Sequence, residues 1–187
     1  MIMRYKTGLL RQVREHIKKG GIIAYPTESC YGLGCNPYDY KAINKLIKLK
    51  QRKKDKGLII VASKFKQLNN IIKPLSVKQI KQTTHYWPGS YSLILDAKPS
   101  ISYNLKGKHT TVAVRVTQYK LVIQLCDFIN SAVVSTSANK SKLKSIRTYR
   151  ECIRQFGQSV LVLPGMVGNA TKPSTIIDLK TNKVLRK

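Results

Sequence analysis

Hydroxyl-bearing side chains and two glycines follow a short apolar run near the N-terminus of the chain. Residues 25–34 read Tyr-Pro-Thr-Glu-Ser-Cys-Tyr-Gly-Leu-Gly. In an extended segment Thr27, Ser29 and Tyr31 would share one face, because side chains alternate along a strand. That face could hold the polar groups of an amino acid, or it could be a strand edge that faces water.

Three cations, Lys50, Arg52 and Lys56, cluster where a helix is predicted to end. Cations at this position complement the helix dipole, which accounts for any one of them. Three within seven residues, directly before a buried strand, also suit a triphosphate. Arg52 could donate to two phosphate oxygens while the lysines act as point charges. With the hydroxyl-rich segment, the cluster suggests a site for a small polar molecule beside a polyphosphate.

Two further signals lie at or within predicted strands. Residues 135–139 read Ser-Thr-Ser-Ala-Asn at a strand end, where open sheets often bind ligands. They could bind phosphate or ribose, or form a turn that caps itself. Arg115 interrupts an otherwise apolar strand. Because a buried guanidinium is costly without an anion, Glu28, Asp178 or a ligand carboxylate should pair with it.

Several common catalytic patterns are missing from the sequence. Gly-Lys-His-Thr at 107–110 lacks the upstream glycine of a phosphate-binding loop, and Gly-Leu-Gly at 32–34 is weak evidence for a dinucleotide site. The four cysteines form no Cys-X-X-Cys pair and the three histidines stand far apart. We therefore predict no metal site from protein ligands, and reduced structural thiols in a cytoplasmic protein.

The formal net charge is +27 over 187 residues. Such a surface attracts polyanions, including tRNA and double-stranded RNA, with strong salt dependence. A compositional drift toward lysine would give the same total without selection for RNA binding, so the charge alone identifies no function. No apolar run reaches membrane-spanning length, and the N-terminus lacks the apolar core of an export signal.

The pattern of predicted elements favours a single α/β domain over residues 4–187. Apolar residues at helical spacing predict helices within 9–17, 42–49 and 121–129, a capping box at Thr148 predicts another, and weaker helices are expected at 65–72 and 76–84. Loops are predicted at 99–108 and 139–146. Strands are predicted at 22–25, 30–35, 58–62, 91–95, 112–116, 132–135, 160–163 and 174–179. Because helices and strands intermix without strict alternation, an open, twisted, mixed sheet with packed helices is expected.

The chain resembles the YrdC/TsaC family of threonylcarbamoyl-AMP synthases over nearly its whole length. The matching segments are Tyr-Pro-Thr-Glu at 25–28 with Tyr-Gly-Leu-Gly at 31–34, Lys-Gln-Arg at 50–52 with Lys-Gly-Leu-Ile at 56–59, Trp-Pro-Gly at 87–89, Thr-Val-Ala-Val-Arg at 111–115, Ser-Thr-Ser-Ala-Asn at 135–139, and Pro-Gly at 164–165. Any one of them would be weak, whereas six in the family's order are specific. The resemblance implies an open α/β sheet around a basic cavity.

The resemblance also implies a reaction. A nucleotidyltransferase of this family combines L-threonine, bicarbonate and ATP into threonylcarbamoyl-adenylate and releases pyrophosphate. The product feeds the t6A modification of tRNAs that read codons starting with A, through downstream tRNA threonylcarbamoyl-transferase proteins. Mg²⁺ is expected with ATP, held largely by phosphate oxygens and water.

The family's functional positions can be carried over residue by residue. Catalysis would depend on Lys50 and Arg52. The expected threonine-binding residues are Thr27, Ser29, Tyr31, Arg115 and Ser174. The expected ATP-binding residues are Lys50, Arg52, Lys56, Thr111, Ser135, Ser137, Asn139 and Arg147.

Some positions depart from the family pattern. Ser141 and Lys142 replace a common Ser-Gly step, which affects the conformation of that loop. Leu163 stands where longer relatives carry an arginine, so one nucleotide contact is absent or comes from elsewhere, with Arg147 as a candidate. The chain is expected to be the short form, without an extra C-terminal domain. The alternative is a non-catalytic RNA-binding module that assists RNA maturation, which would leave the ordered hydroxyls and Arg115 unexplained.

Overall fold

The computed structural model describes residues 4–139 and 144–187. Their helices are α1 (Thr7–Lys18), α2 (Tyr40–Lys50), α3 (Val77–Thr83), α4 (Tyr103–Lys106), α5 (Lys120–Ile129) and α6 (Tyr149–Phe156), with a 3₁₀ turn at Phe65–Leu68. Asp39 caps α2 by accepting hydrogen bonds from the backbone amides of Lys41 and Ala42. The predicted capping box at the start of α6 is present in both directions between Thr148 and Glu151.

In the described part of the chain, nine strands form one open, mixed sheet. They are β1 (Ile23–Pro26), β2 (Tyr31–Gly34), β3 (Ile59–Ala62), β4 (Tyr91–Asp96), β5 (Thr111–Val116), β6 (Val133–Ser137), β7 (Leu161–Val162), β8 (Thr175–Asp178) and β9 (Val184–Arg186). Their order across the sheet is β7-β1-β2-β6-β3-β5-β4-β8-β9. The pairs β1–β7, β3–β5 and β4–β8 are parallel, and the other neighbours are antiparallel. The predicted α/β class with a mixed sheet is confirmed.

The sheet carries a hydrophobic core on each face. Ile23 and Tyr25 of β1 pack in the core that α1 and α5 cover, whereas Ala24 between them belongs to the larger core on the other side. This alternation follows from the strand period of two residues. Burial on both faces also explains why the central strands read as continuous apolar runs rather than as alternating ones.

Three local predictions needed correction. Residues 99–108 were expected to be a loop, but they contain the short helix α4. The helix expected over 65–72 is limited to the 3₁₀ turn. Strand β9 was not predicted at all, because its three exposed residues carry no apolar alternation.

The β1–β2 hairpin and β6 lie side by side near the middle of the sheet, which brings the ends of these strands together. Gly34 of β2 makes this packing possible, because a Cβ atom there would lie 2.4 Å from the carbonyl oxygen of Val134 on β6. Such a contact is far inside van der Waals distance, so a side chain would push the two strands apart. The close pairing fixes the hairpin turn at 27–30 relative to the β6 segment 135–137.

Candidate active site

A cavity of about 450 Å³ lies where these segments meet. Its walls come from the hairpin turn, the ends of β5 and β6, the loop after α2, the segments at 144–147 and 171–174, and β9. Sixteen of the lining side chains are charged or carry a hydroxyl: Tyr25, Thr27, Glu28, Ser29, Arg52, Arg115, Thr117, Ser135, Thr136, Ser137, Lys144, Ser145, Arg147, Thr171, Ser174 and Arg186.

The lining is strongly positive. Among the described residues it contains four arginines and Lys144, against a single carboxylate from Glu28. Burial lowers the pKa of Arg52, and the nearby charge of Arg186 lowers it further. Two guanidinium groups that repel each other would both be stabilised by a shared anion. The cavity is therefore suited to a polyanionic ligand.

Arg115 is held at the cavity by a buried network. Its Nε donates to the carbonyl oxygen of Gly89 at 2.7 Å, and Nη2 forms an ion pair with Oε1 of Glu28. The hydroxyl of Thr117 donates to the same oxygen at 2.7 Å. Of the anions that the sequence allowed, Glu28 is therefore the partner, while Asp178 instead accepts backbone amides in its own turn. The Trp-Pro-Gly turn contributes by presenting the Gly89 carbonyl.

Lys50, at the end of α2, is turned inward. Its ammonium donates to the carbonyl oxygens of Ser137 and Asn139 and, at 2.9 Å, to Oδ1 of Asn139, which also accepts from the Ser137 hydroxyl at 2.8 Å. The residue is only 4% exposed. Burial, reinforced by the charge of Arg52, lowers the pKa of Lys50 to about 8. Lys50 thus fixes the 137–139 segment instead of extending into the cavity.

Arg52 does extend into the cavity. Its backbone amide donates to the carbonyl oxygen of Ile47, and Nη2 donates to that of Gly57 at 2.7 Å. These contacts use part of its donor set. The remaining N–H groups of the guanidinium are available to a ligand, since the group carries five in a planar arrangement.

The hairpin turn presents small hydroxyl groups. Thr27 donates its hydroxyl to the carbonyl oxygen of Cys30 at 2.7 Å, and Ser29 lies beside the Cys30 thiol. Arg147 joins this turn to the segment after β7 by donating to the carbonyl oxygens of Ser29 at 2.6 Å and Ala170 at 3.3 Å. Ser29 and Arg147 therefore line the cavity from different segments of the chain, and the hydrogen bonds of Arg147 connect these segments.

Arg186 was missed by the sequence interpretation. It donates from Nη2 to the carbonyl oxygen of Ser174 at 2.7 Å, and the Ser174 hydroxyl lies 2.9 Å from that of Ser92. Burial lowers the pKa of Arg186. The one sequence signal for it was an arginine after the apolar pair Val184 and Leu185, which is too short to identify a strand.

Five of the expected site residues lie away from the cavity lining: Lys50 and Asn139, which bond to each other beside it, and Tyr31, Lys56 and Thr111. Tyr31 is fully buried in β2, and its hydroxyl donates to the carbonyl oxygens of Leu163 and Gly165. The chain bends at 28–30, so Tyr31 does not continue the face of Thr27. Lys56 is exposed. Thr111 borders a separate cavity of about 100 Å³, at the opposite end of β5 from Arg115.

The structure describes one of the two departures from the family pattern, Leu163, but not the other, at 141–142. Ser141 and Lys142 lie outside the described residues. Leu163 is fully buried, and its backbone amide donates to the carbonyl oxygen of Ala24 at 2.8 Å. The side chain at this position therefore packs in the core, and Arg147 is present at the cavity as the sequence suggested.

Protein ligands for a divalent cation are scarce here. Within residues 4–139 and 144–187 no group of three or more His, Cys, Asp or Glu side chains could hold a metal ion. The cavity's carboxylate, Glu28, is already engaged by Arg115 and Thr117. The described residues thus do not fit a resident Mg²⁺ site. In the same part of the chain, no helix is both long and apolar enough to cross a bilayer.

Comparison with known proteins matches residues 15–187 to the Sua5, YciO and YrdC family model, which is described as "Telomere recombination". A threonylcarbamoyl-AMP synthase of Chromobacterium violaceum is 45% identical over 178 residues, which cover 95% of this chain and 92% of that protein. A threonylcarbamoyl-AMP synthase of Buchnera aphidicola is 46% identical over 88% of this chain and 95% of its own length.

A similar solved structure is that of P. abyssi Sua5 in complex with L-threonine. It superposes with a TM-score of 0.87 at 28% sequence identity. The match covers 95% of this chain but only 53% of that structure. The chain thus spans about half the length of Sua5 and nearly the whole length of the two relatives above.

Proposed function

The chain belongs to the Sua5/YciO/YrdC family, and from this premise we propose that residues 4–187 form one catalytic domain with threonylcarbamoyl-AMP synthase activity. The strongest support is the 45% identity to a protein of that name over 95% of the chain. The cation-rich cavity is the second support, because four separated motifs of the sequence contribute side chains to it.

The proposed reaction is a nucleotidyl transfer. The amino group of threonine and bicarbonate would first form a carbamate, with release of water and of one proton. A carbamate oxygen would then attack the α-phosphorus of ATP, and the bond from the α-phosphorus to the β-phosphate would break, which gives threonylcarbamoyl-adenylate and pyrophosphate. The product would pass to downstream tRNA threonylcarbamoyl-transferase proteins for t6A modification in the cytoplasm. Mg²⁺ would enter with the phosphates of ATP, because residues 4–139 and 144–187 contain no group of side chains that could hold it.

We assign the nucleotide to the part of the cavity that holds Arg52 and Arg186. Their mutual proximity makes the triphosphate the natural ligand, and each guanidinium can donate to two phosphate oxygens. The hydroxyls of Ser135 and Ser137 and the guanidinium of Arg147 line the same cavity. Lys50 would act on the nucleotide through Ser137 and Asn139, whose carbonyl groups it holds.

We assign threonine to the surroundings of Arg115. The hydroxyls of Thr27, Ser29 and Ser174 also line the cavity and could bind the polar groups of an amino acid. A guanidinium that is already oriented by Gly89 and Glu28 can bind a carboxylate at little entropic cost.

Positioning and electrostatics would supply most of the catalysis. Phosphoryl-group chemistry needs the nucleophile in line with the leaving group and cations near the developing charge. The cavity offers the cations of Arg52 and Arg186 to the triphosphate, and Arg115 with the hydroxyls of Thr27 and Ser29 to the amino acid. A protein base is not required by this scheme, which agrees with the absence of histidine from the cavity lining among the described residues.

The direct test is pyrophosphate release by the purified protein with ATP, threonine and bicarbonate. The proposal predicts release that depends on both threonine and bicarbonate. Release that ignores the omission of threonine, or no release at all, would refute it. Salt-sensitive binding of duplex RNA without pyrophosphate release would instead support the RNA-binding module that the net charge of +27 suggests.

Lys50 should make nucleotide affinity depend on pH. Since its pKa is lowered to about 8, the ammonium loses its proton, and its clamp on Ser137 and Asn139 weakens, as the pH rises through that value. We expect ATP affinity to fall about 10-fold between about pH 7 and about pH 9. The measurement omits threonine, so the titration of the substrate amine does not contribute.

Lys50→Arg is the matched control for this profile. An arginine stays charged throughout the range, so the variant should bind ATP more weakly but with a flat pH dependence. A flat profile in the unmodified protein, or the same decline in the arginine variant, would show that Lys50 does not control the nucleotide site.

A further inference from the structure

Glu28 stands out because it carries the cavity's lone negative charge among the described residues, opposite five cations. Its backbone is covered by the segment after β7: the amide of Ala170 donates to the Glu28 carbonyl oxygen at 3.0 Å. A Cβ atom on Gly168 would lie 2.7 Å from the same oxygen, so this approach requires a glycine. The side chain, 15% exposed, is thus directed into the cavity from a fixed backbone.

The two oxygens of the Glu28 carboxylate have different environments. Oε1 accepts hydrogen bonds from Arg115 Nη2 and from the Thr117 hydroxyl. Within residues 4–139 and 144–187, both side-chain contacts of Glu28 go to this oxygen and neither to Oε2. A carboxylate can accept about four hydrogen bonds, so Oε2 can accept bonds from a ligand without disturbing the network that holds Arg115.

We propose, on the basis of the function proposed above, that Oε2 of Glu28 binds the amino group of threonine and thereby selects an amino acid over other hydroxy acids. The group would bind as an ammonium on entry and, after its proton has passed to solvent and the carbamate has formed, through the N–H that the carbamate retains. A zwitterion that enters this cavity meets attraction for its carboxylate at every cation, whereas among the described lining residues Glu28 supplies the one negative charge for its ammonium. The amino and carboxylate groups of an amino acid are separated by a single carbon atom, and Arg115 and Glu28 are likewise adjacent.

This assignment gives the Glu28–Arg115 pair a role beyond neutralising a buried guanidinium. The pair presents one positive and one negative group side by side, which is complementary to an amino acid backbone and not to the triphosphate. The negative group would also repel the triphosphate, which would then favour the guanidinium groups of Arg52 and Arg186. The positions of these positive and negative side chains would therefore orient both substrates in the cavity.

The test compares the binding of L-threonine with that of 3-hydroxybutanoate, which lacks only the amino group. Binding to the full chain is measured by calorimetry or ligand-observed NMR. The unmodified protein should prefer threonine by about 10- to 100-fold, the effect of one charge-assisted hydrogen bond. Glu28→Gln keeps an acceptor for Arg115 and Thr117 but removes the charge, so it should reduce this preference to within about 3-fold by weakening threonine binding alone.

Two control variants separate recognition from structure. Thr117→Val disturbs the same network but leaves the charge of Glu28, so the preference for threonine should persist. Glu15→Gln removes a carboxylate from the exposed surface of α1 and should change neither affinity.

Each outcome decides the inference. Equal weakening of both ligands by Glu28→Gln, or equal affinity of the unmodified protein for both, would overturn it; the second comparison needs no variant and is unaffected by folding defects. If either result were found and the protein still released pyrophosphate in a threonine-dependent way, the proposed function would hold. Glu28 would then not be the residue that binds the amino group. A protein that neither binds threonine nor releases pyrophosphate would instead refute the proposed function itself.

Discussion

Replacing Arg52 with alanine should reduce threonine-dependent pyrophosphate release about 10²- to 10³-fold, the usual cost of removing one preorganised donor from developing charge. The guanidinium lies in the cavity, and the charge of Arg186 near it makes both groups favour an anion. The free energy of unfolding should change by only about 1 kcal/mol, because the side chain loses its hydrogen bonds to Lys56 and Gly57 in a partly exposed loop.

Lys54→Ala is the matched control, since Lys54 is exposed in the same loop and its loss changes the net charge by the same amount. It should release pyrophosphate at nearly the normal rate. Arg52→Lys should fall between the two, because a lysine retains the charge but not the planar donor set. If the Lys54 variant were as slow as the Arg52 variant, the effect would belong to the overall charge and not to a phosphate site.

The sequence was most informative where short-range chemistry decides the structure. The capping box at Thr148 predicted the start of α6, and continuous apolar runs predicted the central strands. The clustering of cations near Arg52 and the hydroxyl-rich segment suggested a site for a small polar molecule beside a polyphosphate, whereas the basic cavity was implied by the family resemblance. These features are encoded within a few neighbouring residues, so no knowledge of the packing was needed.

The failures have a different origin, since they depend on long-range geometry. Tyr31 was assigned to the same face as Thr27 by counting alternate residues, but the bend at 28–30 breaks that count. The guanidinium of Arg115 needed an anion, and the sequence could not choose among candidates because Glu28 lies 87 residues away in the chain. Arg186 reaches the cavity from an edge strand that has no sequence pattern of its own.

The inward position of Lys50 illustrates a further limit of motif reasoning. A lysine and an arginine two residues apart, at the end of one helix, look equivalent as phosphate ligands. The left-handed backbone of Gln51, with φ of 51°, ends α2 between them and sends their side chains in different directions. One cation therefore organises the 137–139 segment while the other enters the cavity.

Arg115→Met should destabilise the fold more than any other single change at this site. Removing the guanidinium leaves the Gly89 carbonyl without its side-chain donor and Glu28 with Thr117 as its remaining partner. Breaking a buried ion pair from one side typically costs about 3 to 5 kcal/mol, because the other charge stays buried without compensation. Urea unfolding followed by circular dichroism would measure this loss.

A second substitution can show that the cost comes from the stranded carboxylate and not from lost packing. In the Arg115→Met background, Glu28→Gln removes the uncompensated charge and should recover about 1 kcal/mol or more of the free energy of unfolding. Asp178→Asn, at the other acid that the sequence left open, should recover none, because that carboxylate caps its own turn. Recovery by the Asp178 change, or none by the Glu28 change, would mean that the ion pair with Glu28 does not account for the stability of Arg115.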